Sequence, residues 1–145
     1  MKGRGVNTRK MREIKFRGKR LDNGEWAIGL LVKMWDEWHI LDCDDENTAY
    51  PVVPDTIGQH TGLKDKNDKE IWEGDIFKDT RGVARSVFRV PGGFAFEDNP
   101  AAFGYDHRSP LYPYSPLADL QSASWLSQCC EVIGNIHDDP KLLKQ

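Results

Sequence analysis

Long apolar runs and cysteines are both scarce in this sequence of 145 residues. The longest unbroken run of apolar or glycine residues extends only from Ala27 to Val32, whereas a membrane-spanning helix needs about 20 such residues. No stretch near the N-terminus has the apolar character of a signal peptide. The three cysteines, of which Cys129 and Cys130 are adjacent, form neither a disulfide framework nor a zinc-site pattern. We therefore expect a cytosolic protein with no membrane partner.

Charge is present in quantity but is unevenly distributed. Residues 1–20 carry nine Lys or Arg and one acid, whereas residues 21–145 carry eleven Lys or Arg and twenty-two acids. Residues 1–10 are rich in glycine and basic residues, and we predict that they form a disordered extension. Such asymmetry indicates either an arm that binds polyanions or a basic segment that lies on the protein's own acidic surface.

The pattern of apolar residues predicts a mainly β fold. Residues 13–19 alternate between apolar and charged side chains, as in a strand with one buried face. Asn23-Gly24 then predicts a tight hairpin turn, Asp36-Glu37 predicts a second turn, and alternation returns along residues 25–34 and 81–90. Short strands separated by turn residues favour a β-barrel or sandwich. Asp139-Pro140 indicates the start of a short C-terminal helix.

Five segments together resemble the YopX family of phage and prophage proteins. They are Met11–Lys19, Asn23–Trp26 with Gly29, Val53–Asn67, Glu70–Ile76, and Glu131–Ile136 with Asp139-Pro140. Two positions depart from the family pattern, since His60 stands where an aromatic residue is commoner and Asp68 where glycine is commoner. The resemblance supplies no activity and no catalytic residues.

The resemblance implies an N-terminal β-rich subdomain followed by an SH3-like small barrel, made in a bacterial host cytoplasm. We accordingly predict a β-rich subdomain over residues 11–60 and the barrel over residues 61–145. The barrel would carry a long loop at residues 97–116, which is rich in proline and aromatic residues, and the short C-terminal helix.

Two basic strand faces are the candidates for nucleic-acid binding. Lys15, Arg17 and Lys19 repeat at every second position, and so their side chains emerge on one face roughly 6.6–6.8 Å apart. The second face carries Arg81, Arg85 and Arg89. Either these cations form a groove for a polyanion, or they pair with the chain's own acids. No base-reading motif is present, and so any binding would be sequence-nonspecific.

Aromatic residues of the long loop are the candidates for protein contacts. Tyr105, Tyr112 and Tyr114 stand among four prolines, and two overlapping P-x-x-P spacings run from Pro110 to Pro116. Such a segment docks on aromatic grooves of other proteins, supports self-association, or packs on its own domain.

Catalytic and metal-binding patterns are weak. Asp42 to Glu46 holds four carboxylates, but the glycine of a calcium loop does not follow. The four histidines are scattered, and Cys129-Cys130 lacks the C-x-x-C spacing. We predict no catalytic residues, no metal site and no cofactor.

Three hypotheses follow for function. The leading one is a non-enzymatic interaction module that acts through protein–protein contacts or self-assembly as a homo-oligomer, with a phage or host protein as partner. The alternative is sequence-nonspecific nucleic-acid binding. The third is a metal-dependent hydrolase at the acidic loop.

Overall fold

The computed structural model describes residues 14–90, 93–97, 114–116 and 120–143, with only the backbone at residues 97, 114–116 and 120–123. Eleven strands and one α-helix lie in these ranges: β1 Phe16–Lys19, β2 Trp26–Met34, β3 Glu37–Asp42, β4 Ala49–Pro51, β5 Gly58–Lys64, β6 Glu70–Trp72, β7 Asp75–Lys78, β8 Ala84–Val90, β9 Gly93–Glu97, β10 Tyr114–Pro116, α1 Leu120–Cys129 and β11 Glu131–Asn135. Short 3-10 helices span Pro54–Thr56 and Pro140–Leu143.

The strands form two antiparallel sheets, which confirms a mainly β fold. The first sheet has the order β4-β3-β2-β1-β5-β6, and the second has the order β10-β9-β8-β7-β11. Sequence neighbours pair in most cases, as short turns require. The exceptions are β1 with β5 and β7 with β11, which bring together segments that are distant along the chain.

The buried apolar residues form two cores, and the larger one includes Ile71 of the first sheet together with residues of the second. The larger core surrounds Phe77, whose ring meets Phe96 and Trp125 edge to face with centroids 5.6 and 5.9 Å away. Such aromatic pairs contribute roughly 0.5–1.5 kcal/mol each beyond the area that they bury. The smaller core is built from Ala27, Ile40 and Val52 on the inner face of the first sheet.

A buried carboxylate joins the two sheets. Asp65 accepts hydrogen bonds from the backbone of Asn67 and Lys69, which closes the β5–β6 turn. Its other oxygen accepts a hydrogen bond of 2.8 Å from the Val132 backbone in β11. The carboxylate thus satisfies three backbone donors at a point where water is excluded.

Two of the turns carry the expected chemistry. A turn lies at Asn23-Gly24 as predicted, with Gly24 but not Asn23 at a positive φ, of 74°, and with Arg20 and Glu25 hydrogen-bonded across it. Asp68, which stands where the family pattern favours glycine, also adopts a positive φ of 65°.

The β2–β3 turn lies one residue earlier than Asp36-Glu37, where the sequence suggested it. Its two central residues are Trp35 and Asp36, with φ of 49° and 65°. Met34 pairs with Glu37 and closes a two-residue turn of the mirror-image type. Trp-Asp carries no signal for such a turn, and the strand pattern alone could not place it.

The remaining fold predictions concern the C-terminal helix, the subdomain boundary, the barrel and the two irregular segments. The C-terminal helix is present as the 3-10 turn Pro140–Leu143. The boundary at residue 60 and the SH3-like barrel stay predictions, and β5 runs through that boundary. Residues 1–10 and most of the 97–116 loop lie outside the described residues, although the end of that loop forms β10. In the described part of the chain, no helix is long and apolar enough to cross a membrane.

Candidate functional site

The first predicted basic face lies at the junction of the two sheets rather than on open surface. Each of its three cations forms an ion pair with an acid more than fifty positions away: Lys15 with Glu70 at 2.9 Å, Arg17 with Asp75 at 2.7 Å, and Lys19 with Asp138. The hydrogen bond from Lys19 lowers the pKa of Asp138 to about 2. The alternation that defined this face was correct, but the face points toward the second sheet.

Arg17 is the central residue of this junction. Its guanidinium lies over the Trp26 ring at 4.6 Å and over the Trp72 ring at 5.3 Å. Burial raises the pKa of Asp75 even though Arg17 donates a hydrogen bond to it. The Asp75 carboxylate also accepts the Trp72 backbone N–H at 2.8 Å. Planar stacking with a carboxylate at the edge is the geometry that favours arginine over lysine.

The second predicted basic face is divided between buried and exposed residues. Arg85 and Arg81 both donate to Asp79, at 2.8 and 2.9 Å. The Arg85 side chain is only 6% exposed, whereas that of Arg81 is 71% exposed. Burial alone would raise the pKa of Asp79, but hydrogen bonds from Arg85 and Arg81 outweigh it and hold that pKa well below its ordinary range. Arg89 is half-exposed and pairs with Glu73 at 3.1 Å.

All six cations predicted for nucleic-acid binding therefore have carboxylate partners within the chain. The partners of Lys15, Arg17 and Lys19 could not be read from the sequence because the pairing of distant strands places them there. Whether these residues bind nucleic acid stays a prediction.

The structure does not describe the side chains of the three loop tyrosines. Tyr105 and Tyr112 lie outside the described residues, and of Tyr114 only the backbone is described, at the start of β10 opposite Glu97.

The face that carries Arg17 continues across β2 and β3, and this part of it, which we call the contact face, exposes apolar side chains that the sequence did not single out. It comprises Ile28, Leu30 and Val32 of β2 and Leu41 of β3, because alternate residues and directly opposite residues share a face. Leu30 is 53% exposed and Ile28 is 37% exposed. The sequence of β2, which is apolar on both faces, was the available signal, since only one face can pack on the smaller core.

A shallow groove lies at one end of the contact face. Its volume is about 260 Å³, and it is lined by Ile14, Gly29, Leu30, Leu41 and Cys43 with the charged Lys15, Asp42 and Glu46. Pockets that bind drug-sized ligands have volumes of roughly 300–1,000 Å³. The size of this groove suits a single large side chain better than a small molecule.

Trp35 lies at the other end of the contact face, at the tip of the β2–β3 hairpin. It is 84% exposed, more than any other large apolar residue in the described part of the chain. The edge of its ring meets His39, opposite Val32, with centroids 6.4 Å apart. An exposed tryptophan in the left-handed backbone region contributes little to the core and costs conformational energy.

The acidic loop after β3 brings three possible ligand atoms together. One atom each from Asp42, Cys43 and Asp44 lies within 4.8 Å of the others. The carboxylate of Asp42 accepts the Asp44 backbone N–H at 2.7 Å, and that of Asp45 accepts the Thr48 side-chain hydroxyl at 2.6 Å. These bonds are those of an ordinary acidic turn.

Comparison with known proteins gives one family match and a similar solved structure. The family model for the YopX protein matches residues 15–144. The chain belongs to the YopX family. Protein EF1440 from Enterococcus faecalis, a crystal structure, is similar to this YopX-family chain with a TM-score of 0.53 and 22% identity, covering 92% of this chain and all of that chain. That similarity shows a shared fold. No curated protein matches the chain.

Proposed function

We propose that this YopX-family chain is a non-enzymatic interaction module that acts through protein–protein contacts made by the contact face and Trp35. The observation that carries the proposal is the exposed Trp35 in a left-handed conformation at a hairpin tip. Tryptophan is among the residues most enriched where proteins bind each other.

Backbone energetics support an external role for Trp35. A two-residue turn of this type prefers Asn-Gly, since both central residues need positive φ. A bulky residue in that region costs roughly 1–2 kcal/mol. Intramolecular packing of the indole offsets little of this conformational energy, because the indole is largely in water. Burial of the indole against another protein would offset this conformational energy.

The positions of the histidines support the non-enzymatic part of the proposal. The Nδ1 atom of His39 lies 3.1 Å from the Glu37 carbonyl oxygen. His60 packs on Trp72 and lies 3.4 Å from Glu70. His137 packs against Trp26, and burial lowers the pKa of its imidazole. Each of these three histidines, which are the ones in the described part of the chain, has a packing partner, and none of them adjoins a serine or cysteine nucleophile in the described contacts.

The alternative, nucleic-acid binding through the basic faces, has less support. A phosphate would have to compete with an intramolecular carboxylate at each of the six cations. Titration with DNA at several salt concentrations tests it. Affinity that falls with a log–log slope of roughly −0.7 to −0.9 per phosphate and is lost in an Arg81→Ala/Arg89→Ala variant would favour this alternative.

Capture from nuclease-treated bacterial extract tests the proposed function. The bait is the full chain as wild type, as Trp35→Asn, and as Leu21→Asn, a control at another exposed apolar residue. We expect wild type and Leu21→Asn to retain the same proteins, including untagged copies of the chain, and Trp35→Asn to lose them. Identical retention by all three baits, or loss of every bound protein on nuclease treatment, would contradict the proposal.

A further inference from the structure

We infer that the partner of the contact face is a second copy of this chain, with Trp35 of each copy seated in the groove beside Leu30 of the other. This inference rests on the proposed function and names the occupant of its surface. It follows from three properties of the contact face: the separation of Trp35 from the groove, their order along one strand, and the area that they can bury.

Trp35 cannot fill the groove of its own chain. Leu30 and Trp35 are five positions apart along an extended strand and its turn, which is roughly 16 Å. That distance exceeds the reach of an indole from its own backbone. Within one copy, the projecting ring and the groove therefore both stay open.

A two-fold symmetric dimer would bury the Trp35 ring and fill the groove in both copies. If the β2 strands of two copies run antiparallel across their contact faces, Trp35 of each copy lies over Leu30 of the other. Such an interface uses the same patch on both copies, which is the commonest symmetry of homodimers. Val32, which is half-buried in one copy, then lies near the centre of the interface, and the exposed Ile28 lies beyond Leu30 toward its edge.

The available area is sufficient for a concentration-dependent dimer. A buried tryptophan contributes roughly 150–250 Å², and so the two Trp35 rings supply about 300–500 Å². Ile14, Ile28 and Leu30, which are exposed apolar residues, contribute from both copies. Together they approach the roughly 1,000 Å² that a specific interface needs.

Electrostatic attraction is not the main force in this proposed contact between Trp35 and the groove. Lys33, Asp36 and Glu37 flank Trp35, and the groove is lined by Lys15, Asp42 and Glu46. Both sites thus carry charges of both signs. We expect that added salt leaves the association intact, in contrast to polyanion binding, which salt weakens.

Complementation between two variants tests the inference. Trp35→Asn keeps the groove but loses the ring, whereas Leu30→Lys keeps the ring but places a charge in the groove. Light scattering and sedimentation of the full chain over a range of concentrations should show that each variant alone dimerises roughly thirtyfold or more weakly than wild type. Their equimolar mixture should associate more strongly than either variant alone but more weakly than wild type. In the mixed dimer, the ring of one variant meets the intact groove of the other.

The controls separate this inference from a structural effect. Leu21→Asn, at an exposed residue elsewhere, should dimerise as wild type does, and thermal unfolding should show that every variant is folded. A wild type that stays monomeric at all concentrations would overturn the inference, as would a mixture that fails to recover. If extract capture still depends on Trp35 in that case, the proposed function stands and only the second copy is wrong.

Discussion

At the scale of single residues, burial decides what a charge does in this protein. Arg85 and Arg81 serve the same carboxylate, Asp79, but one is buried and the other lies in water. A buried charge that loses its partner has no access to solvent, whereas an exposed one does. The two arginines, both on the face that the sequence indicated, therefore have different roles.

Substitution of each arginine by methionine measures this difference. Arg85→Met leaves Asp79 buried with a weaker partner set, and we expect the free energy of unfolding to fall by about 3–5 kcal/mol. Arg81→Met removes an exposed ion pair and should cost less than about 1 kcal/mol. Urea denaturation of both variants checks the prediction. Equal losses would mean that burial does not distinguish them.

The low pKa of Asp79 gives a pH prediction with a defined sign. A carboxyl whose pKa is lower in the folded state stabilises the fold above its unfolded value and loses that contribution as pH falls. Wild type should lose stability as pH falls below about 4, where an unfolded aspartate begins to bind its proton. Asp79→Asn should be less stable at neutral pH and should lose less on acidification. Parallel pH profiles for the two proteins would exclude Asp79 as a source of acid sensitivity.

At the scale of elements, close backbone approach explains one glycine of the family pattern. A Cβ atom at Gly29 in β2 would lie 1.8 Å from the backbone oxygen of Leu41 in β3. A side chain there requires the two strands to separate. At Gly93 in β9, no atom of the described residues, apart from its chain neighbours, lies within 4 Å of the same position.

Alanine at each of these glycines therefore has a different expected cost. Gly29→Ala should lower the free energy of unfolding by about 3 kcal/mol or more, because backbone atoms must move. Gly93→Ala should change it by less than about 1 kcal/mol. Thermal and urea unfolding provide the measurement, and a Gly29→Ala protein as stable as Gly93→Ala would show that β2 and β3 are not packed as described.

The tip of the β2–β3 hairpin gives a prediction of opposite sign. Asparagine tolerates the left-handed conformation at position 35 better than tryptophan does. We expect Trp35→Asn to raise the free energy of unfolding of the monomer by about 0.5–1 kcal/mol. Urea unfolding at low protein concentration measures this. A destabilised variant would mean that the indole serves the fold rather than a partner.

Local sequence signals predicted elements well and their long-range partners poorly. The Asn23-Gly24 hairpin was predictable because its turn chemistry lies within two residues. The β2–β3 turn was misplaced because Trp35-Asp36 lacks that chemistry. The face occupied by Arg17 was correctly predicted from alternation, yet Asp75, its partner, depends on how the sheets meet. The sequence pattern could not supply that information.

At the scale of the whole molecule, ion pairs and exposed apolar side chains occupy different parts of one face of the first sheet. Ion pairs of Arg17 and Lys19 link β1 of the first sheet to Asp75 of β7 and to Asp138 after β11, whereas the Lys15–Glu70 pair lies within the first sheet. The charged face predicted as a binding surface thereby becomes an internal junction. The contact face, which begins beside Arg17 at Ile28, extends beyond this junction toward Trp35.

Site-specific photo-crosslinking tests most directly the claim that this chain acts through protein contacts at the contact face. A photoreactive phenylalanine analogue replaces Trp35 in one full-length variant and Leu21 in a control, and both are irradiated in the bacterial cells that express them. We predict covalent protein adducts at position 35 and few at position 21. Equal yields at both positions, or adducts at position 35 that consist of nucleic acid, would contradict the account.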